Sequence, residues 1–257
     1  MSINLITGNE DAKRAVVNQW RMNKSSGTYL FYGKKGAYLK EFALAFAKGI
    51  NCNESVHDFC DKCRVCENIN KEIYSDLHII SASEGTVKID QIRELIKNAS
   101  ETSYEMGKKV FIIEDVNKLR KEASNALLKI IEEPPKDTYF ILLANSLNIL
   151  PTIKSRSLAI EIQKLTHEEL GVEESLYNFF LGDVKDIREF KSGAYTLSKE
   201  SYKNTAIYMK EYLETGEFLP KIRAYGALED FILEKSYLSE IDKIAFAETL
   251  DKAIGKN

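Results

Sequence analysis

All four cysteines of this 257-residue chain fall in one short window, as Cys52, Cys60, Cys63 and Cys66. The spacing is C-x7-C-x2-C-x2-C. Thiolates are the soft ligands that zinc takes, and four of them complete a closed tetrahedral shell with no position left for water. Three-residue intervals let Cys60, Cys63 and Cys66 converge on one ion, while Cys52 arrives from the end of a predicted helix and closes the site. The expected cofactor is a structural Zn²⁺. Two disulfides are the other use of four cysteines, and the cytoplasmic character read below argues against them. Scattered buried thiols are the plainer alternative, which the confinement of every cysteine to one window disfavours. His57 lies in the same window, but four sulfurs already suffice, so it is expected in solvent.

A second stretch has the frame of a phosphate site without its working parts. "YGKKGAYLK" (Tyr32–Lys40) stands between an apolar run and a helical run. A competent loop reads G-x-x-x-x-G-K-[ST]: backbone N–H groups cradle the phosphates, the Lys reaches the β/γ oxygens and the hydroxyl binds Mg²⁺. Here Gly33 holds the first position and Gly36 a middle one, but Tyr38, Leu39 and Lys40 replace the second Gly, the Lys and the Ser/Thr. Tyr38 brings bulk where backbone must approach a ligand, Leu39 has no charge and Lys40 has no neutral oxygen. Sliding the register to make Lys40 the reaching lysine puts Glu41, an anion, beside a triphosphate. By its residues alone the loop is either a relic of a nucleotide site or a plain strand–turn–helix. "FIIED" (111–115) matches a strand ending in metal-binding acids, although the usual Asp-then-Glu order is reversed at Glu114 and Asp115. Without a competent loop, two solvated rim acids are the expected reading.

These residues must be positioned by alternating strands and helices. Helices are predicted over 9–21, 39–50, 88–99 and 120–132 from apolar residues at helical spacing, such as Leu39, Phe42, Ala43 and Phe46. Pro134 and Pro135 stop the last of them. Strands are predicted at 29–32, 76–80, 109–115, 138–145 and 158–162, apolar at nearly every position. Alternation with such strands implies an α/β fold with a parallel sheet covered on both faces. After Gln163 the pattern is helical only, broken at Gly182 and Gly193, with a further helical stretch from about Tyr202. His78 and His167 have no nucleophile or acid arranged with them and are expected to be structural. The basic positions of "GKK" (107–109) and those flanking "NALLK" are expected on solvated faces.

Composition narrows the function classes. Apolar residues make up 44% and charged residues 29%, a globular mix, and the formal net charge of −3 does not suit a protein that lives mainly on phosphate contacts. No apolar run reaches a membrane span and the N-terminus has no hydrophobic signal core, so a cytoplasmic protein without membrane association is expected.

"NALLKIIEEPP" (125–135), "YFILLAN" (139–145) and "PTIKSRS" (151–157), with the cysteine segment, resemble the clamp-loader branch of the AAA+ proteins. The resemblance covers residues 1–163, is most specific over 109–157 and weakest after about 165. It implies an AAA+ domain over 1–163 with a zinc module at 50–70, a small helical lid over 164–200 and a C-terminal collar-like helical region over 201–257, shorter than is usual in the family. Bacterial members are of two kinds, a gamma/tau motor with an intact phosphate loop and a delta-prime type that commonly lacks one. Tyr38, Leu39 and Lys40 point to the second kind, with no ATP expected in its own loop and no intrinsic ATPase, so that any enzyme classification would come from the polymerase holoenzyme. The family's Ser-Arg-Cys motif reads Ser155-Arg156-Ser157 here. The resemblance implies that Arg156 reaches a neighbouring subunit's ATP site as an arginine finger, with Ser155 as its motif partner. A guanidinium, always charged, suits that role; the plainer alternative is a surface Arg paired with a carboxylate. Asn145 stands where motors place a polar sensor and is read as a polar cap. The implied partners are gamma/tau motors and the delta subunit, with the sliding clamp and primed DNA reached through the complex. Two other readings stay open: an active gamma/tau-type ATPase with an unusual loop, and a zinc-bearing DNA repair adaptor, which the net charge disfavours.

Overall fold

Five apolar runs become strands because both faces of each are covered. β1 (Gly27–Tyr32), β2 (Leu77–Ile80), β3 (Lys109–Ile113), β4 (Thr138–Ala144) and β5 (Leu158–Glu161) form one all-parallel sheet in the order β2-β3-β4-β1-β5. They are joined by α1 (Glu10–Met22), α2 (Leu39–Asn51), α3 (Arg64–Asn70), α4 (Ile89–Ser100), α5 (Lys121–Glu132) and α6 (Pro151–Lys154). The computed structural model describes residues 2–34, 36–82, 86–146 and 149–172, with Tyr177, 182–184, 187 and 188. The chain divides into one unit over Met1–Lys164 and another over Leu165–Asn257. In the second, α7 (His167–Leu170) starts at a capping box in which Thr166 and Glu169 satisfy each other's backbone N–H groups. The helical region expected over 201–257, with most of 164–200, lies outside the described residues.

Alternation along the strands sorts side chains onto two layers. Leu30, Phe111, Ile113, Phe140 and Leu142 face α4 and α5, where Ile92, Leu95, Leu127 and Ile131 complete a buried cluster. The opposite face is aromatic: Phe46 of α2 meets Tyr29 at 4.6 Å between ring centroids, Tyr139 at 5.9 Å, and Trp20 of α1 at 6.4 Å. Every residue of β3 and β4 is buried, as a central parallel strand requires. The predicted boundaries hold within about two residues, with one consequence for chemistry. β3 stops at Ile113, so Glu114 and Asp115 lie just past the strand, at the carboxyl edge of the sheet. Sheets of this kind place ligands at that edge.

One expectation fails. Lys109 is not on a solvated face. It is 4% exposed, and its ammonium donates to the carbonyls of Asn98, Ala99 and Glu101 where α4 ends. Carbonyls at a helix end lack the regular partners of the next turn, although that of Asn98 also accepts the Glu101 N–H at 3.3 Å, and a cation there meets the negative end of the helix dipole.

His78 is structural, as expected, and its setting gives a pH dependence. Its ring stacks on Phe111 at 4.6 Å and 12°, and burial pushes its pKa below the ordinary 6.5. The unfolded chain therefore takes up the proton first, so this contribution to stability is present above about pH 6.5 and is lost as pH falls through and below it. Thermal unfolding of the parent and His78→Phe, compared from about pH 5 to pH 8, should show a smaller acid-side loss in the variant.

Candidate functional site

Three groups of predicted residues can be built from the fold upward. The first is the cysteine cluster. Cys52 caps the C-terminus of α2, its N–H bonded to the Lys48 carbonyl at 2.8 Å, and Cys63 is the N-cap of α3. The sulfurs of Cys52, Cys60, Cys63 and Cys66 all lie within 4.8 Å of one another, and all four are free thiols. A tetrahedral ion with Zn–S bonds of about 2.3 Å needs sulfurs roughly 3.8 Å apart, so the four could hold one metal with small adjustment. Backbone N–H groups already face the sulfurs, from Cys63 to Cys60 at 3.3 Å and from Cys66 to Cys63 at 3.5 Å. The Lys62 N–H draws the Cys60 thiol down to about 6, against the opposing effect of burial. Burial instead pushes the Cys52 and Cys66 thiols up. Buried thiols of this kind ionise only beside a compensating cation, which is what a bound dication supplies. His57 is exposed and outside the cluster. The surrounding module is tied to the sheet domain: Lys48 pairs with Asp61 and lies 4.1 Å over the Phe59 ring, which packs edge-on against Trp20.

The second group is the loop. Gly33 continues the β1–β4 ladder, its N–H bonding the Ala144 carbonyl at 3.1 Å. A Cβ there would stand 2.2 Å from the Ile162 carbonyl oxygen, so only glycine fits between the strands. Gly36 has φ +87°, which glycine also suits. Tyr38 is buried at 2% exposure as the N-cap of α2, and Leu39 is buried behind it. The helix N-terminus that would face phosphate is thus entered through a core-packed tyrosine. Lys40 turns to the acids at the sheet edge, with Nζ 2.8 Å from Glu72 Oε1 and 3.2 Å from Glu114 Oε1. Burial alone would lower its pKa, but these two carboxylates outweigh it and raise it above the ordinary 10.5. Ser81 donates its hydroxyl to the other oxygen of Glu114. Asp115 is held by Lys118 at 2.8 Å and by the Asn145 side-chain amide at 3.0 Å. The Glu114 carboxylate is therefore paired with an ammonium where a metal-dependent site would place a cation. Asn145 is a partner of Asp115 and more than a strand cap.

The third group is Ser155-Arg156-Ser157, which ends the single turn of α6. Ile153, 1% exposed, anchors that turn in the core. Ser155 Oγ donates to the Thr152 carbonyl at 3.2 Å and Ser157 Oγ to the Ile153 carbonyl at 2.8 Å. Arg156 donates from Nε to Glu132 Oε2 at 2.7 Å and from Nη1 to the Thr152 carbonyl at 3.1 Å. In this chain the arginine has the carboxylate partner of the plainer alternative. Sequence reasoning missed Glu72, Ser81 and Glu132. The only signal for Glu132 was an acid in the last turn of a helix, where the dipole disfavours it.

Residues 8–166, more than half of the chain, match the family described as DNA polymerase III, delta subunit. The chain belongs to this clamp-loader family. Relatives of both kinds align with this family member. It is 35% identical over 153 residues to DNA polymerase III subunit delta' of Bacillus subtilis, covering 59% of this chain and 46% of that protein. It is 32% identical over 209 residues to DNA polymerase III subunit gamma of Buchnera aphidicola subsp. Schizaphis graminum, covering 80% and 54%. The chain thus spans about half the length of these relatives. A DNA polymerase III, gamma subunit-related protein from Thermotoga maritima superimposes with a TM-score of 0.53 at 19% identity, covering 93% of this chain and 78% of that one. That likeness speaks for the fold, an AAA+ clamp-loader-type parallel sheet. Every candidate residue of this clamp-loader chain lies inside the matched span. Among its described residues no helix is long and apolar enough to cross a membrane.

Proposed function

We propose that this chain is a delta-prime-type clamp-loader subunit that leaves nucleotide chemistry to its neighbours. The observation that carries the reading is the pairing of the Lys40 ammonium with Glu114 behind a buried Tyr38. To admit a metal–triphosphate, Tyr38 would have to leave the core and Lys40 would have to give up two carboxylates, while Leu39 supplies no charge to the phosphates. In this reading Arg156 completes the ATP site of an adjacent gamma/tau motor in trans, where a guanidinium stabilises charge developing on the transferred phosphoryl group. The Cys52, Cys60, Cys63 and Cys66 cluster holds Zn²⁺ as a structural ion. The delta subunit, the sliding clamp and primed DNA are reached through the assembled loader, in DNA replication.

Nucleotide binding tests this. The chain alone should show no saturable ATP or ADP binding below about 1 mM, with or without Mg²⁺, and no hydrolysis. Mixed with a gamma/tau-type motor, it should raise the rate of ATP hydrolysis. A second reading, an active gamma-type ATPase, draws on the alignment with Buchnera gamma over 80% of the chain. Tight ATP binding with hydrolysis by the chain alone would establish it instead.

A further inference from the structure

We propose that Glu132 is the positioning residue of Arg156, holding its guanidinium so that the Nη2 edge is presented to a phosphate oxygen of the adjacent subunit's nucleotide. The inference rests on the arginine-finger reading above. A guanidinium has five N–H groups. Glu132 takes the one on Nε and the Thr152 carbonyl takes one on Nη1. Among the described residues the remaining three, both of those on Nη2 included, make no hydrogen bond, and the side chain is still 30% exposed. The plane of the group is therefore set from one side while its outer edge keeps its donors.

Both holding groups stand on backbone set by packing and helix geometry. Thr152 belongs to a turn pinned by the buried Ile153, and its carbonyl also accepts from Ser155 Oγ at 3.2 Å, which gives the motif serine a part in the same arrangement. Glu132 closes α5 immediately before Glu133 and the two prolines that end the helix. Stability does not account for an acid there. It faces the negative end of the helix dipole, and a half-exposed ion pair adds little to folding. What the pair does achieve is order. A surface arginine ordinarily populates many rotamers and must lose them on entering another subunit's site. An arginine already held in one orientation avoids that loss and meets the transition state preorganised.

The test uses the full chain mixed with a gamma/tau-type motor, and reads the ATP hydrolysis that the chain adds. Glu132→Ala should lower kcat of that increment by about 10- to 100-fold, the effect of misplacing a catalytic group by roughly 1 Å. KM for ATP should stay unchanged, because the nucleotide is bound by the motor. Glu132→Gln, whose amide oxygen still accepts from Nε–H, should retain most of the increment. In an Arg156→Ala background, Glu132→Ala should have no further effect. An increment unchanged in Glu132→Ala but lost in Arg156→Ala would overturn the proposal and leave the finger reading standing. A rise in Glu132→Ala would mean that the carboxylate withholds the arginine, and would also overturn it. An equal loss in the Arg156→Ala background would show a structural role. If Arg156→Ala itself changes nothing, the finger reading falls and this inference falls with it.

Discussion

Arg156→Ala is expected to leave the chain folded and to remove most of the ATP hydrolysis that it adds to a gamma/tau-type motor. The folding half of this rests on the setting of the side chain. Arg156 is partly exposed and pairs with Glu132, itself 54% exposed. Such a pair is worth at most about 1 kcal/mol. The α6 turn is held instead by Ile153 in the core and by backbone bonds from Ser155 to Pro151 and from Arg156 to Ile153, none of which needs the guanidinium. The catalytic half follows from charge. Loss of one preorganised donor to a developing anion costs about 10²–10³ in rate, and arginine fingers supplied in trans are worth about 10³–10⁵. A fall of about 100-fold or more at the interface containing this chain is therefore expected. Thermal unfolding and steady-state hydrolysis of the mixture check the two halves separately. An unchanged rate in an assembly shown to form would remove the arginine from the mechanism.

Removing the zinc proposed for the Cys52, Cys60, Cys63 and Cys66 cluster is the second large perturbation. Chelation, or Cys66→Ser, is expected to release one zinc per chain and to unfold the module around Cys52–Asn70 before the sheet. Phe59, Val65 and Ile69 are buried there, each worth about 1.5–3 kcal/mol of burial, offset in part by the chain entropy regained on release. A net loss of about 2 kcal/mol would lower Tm by roughly 4–8 °C for a domain of this size. The single tryptophan gives a local readout, because Trp20 packs against Phe59 with ring centroids 6.4 Å apart. Its fluorescence should change on chelation while amide protection in β3 and β4 persists. Acid should act in the same direction, since the ligands must be thiolates and burial already opposes ionisation of Cys52 and Cys66. Protein purified under reducing conditions with no zinc by metal analysis, and with its stability unaltered by chelators, would contradict this.

Most of the architecture was legible in the chain because its signals are local. Apolar periodicity of 3.6 or continuous burial marks each helix and strand within a few residues, and Pro134-Pro135 stops α5 as expected. The cysteine cluster was legible for the same reason, since its four thiols lie on one short segment. So was the departure of the loop from the phosphate-binding pattern, which depends only on which residue types occupy Tyr38, Leu39 and Lys40. The short α3 inside the cysteine segment was missed, because seven residues carry too little periodicity. Lys109 was misplaced because a lysine's burial depends on a row of helix-end carbonyls that no local pattern announces.

The sequence by itself determined the elements, the class of the fold, the grouping of the four cysteines on one segment and the departure of Tyr38, Leu39 and Lys40 from the phosphate-loop pattern. Only the tertiary structure decided what the charges do. Parallel pairing brings the carboxyl ends of β1, β3 and β4 to one edge, so Lys40 meets Glu72 and Glu114, and Asn145 meets Asp115. The packing of α6 against α5 brings Arg156 to Glu132, 24 residues away. Helices and strands are set by neighbours within a few residues, whereas ion pairs at a sheet edge are set by topology. A lysine in a loop and an arginine after a turn acquire partners only once distant segments have been folded together.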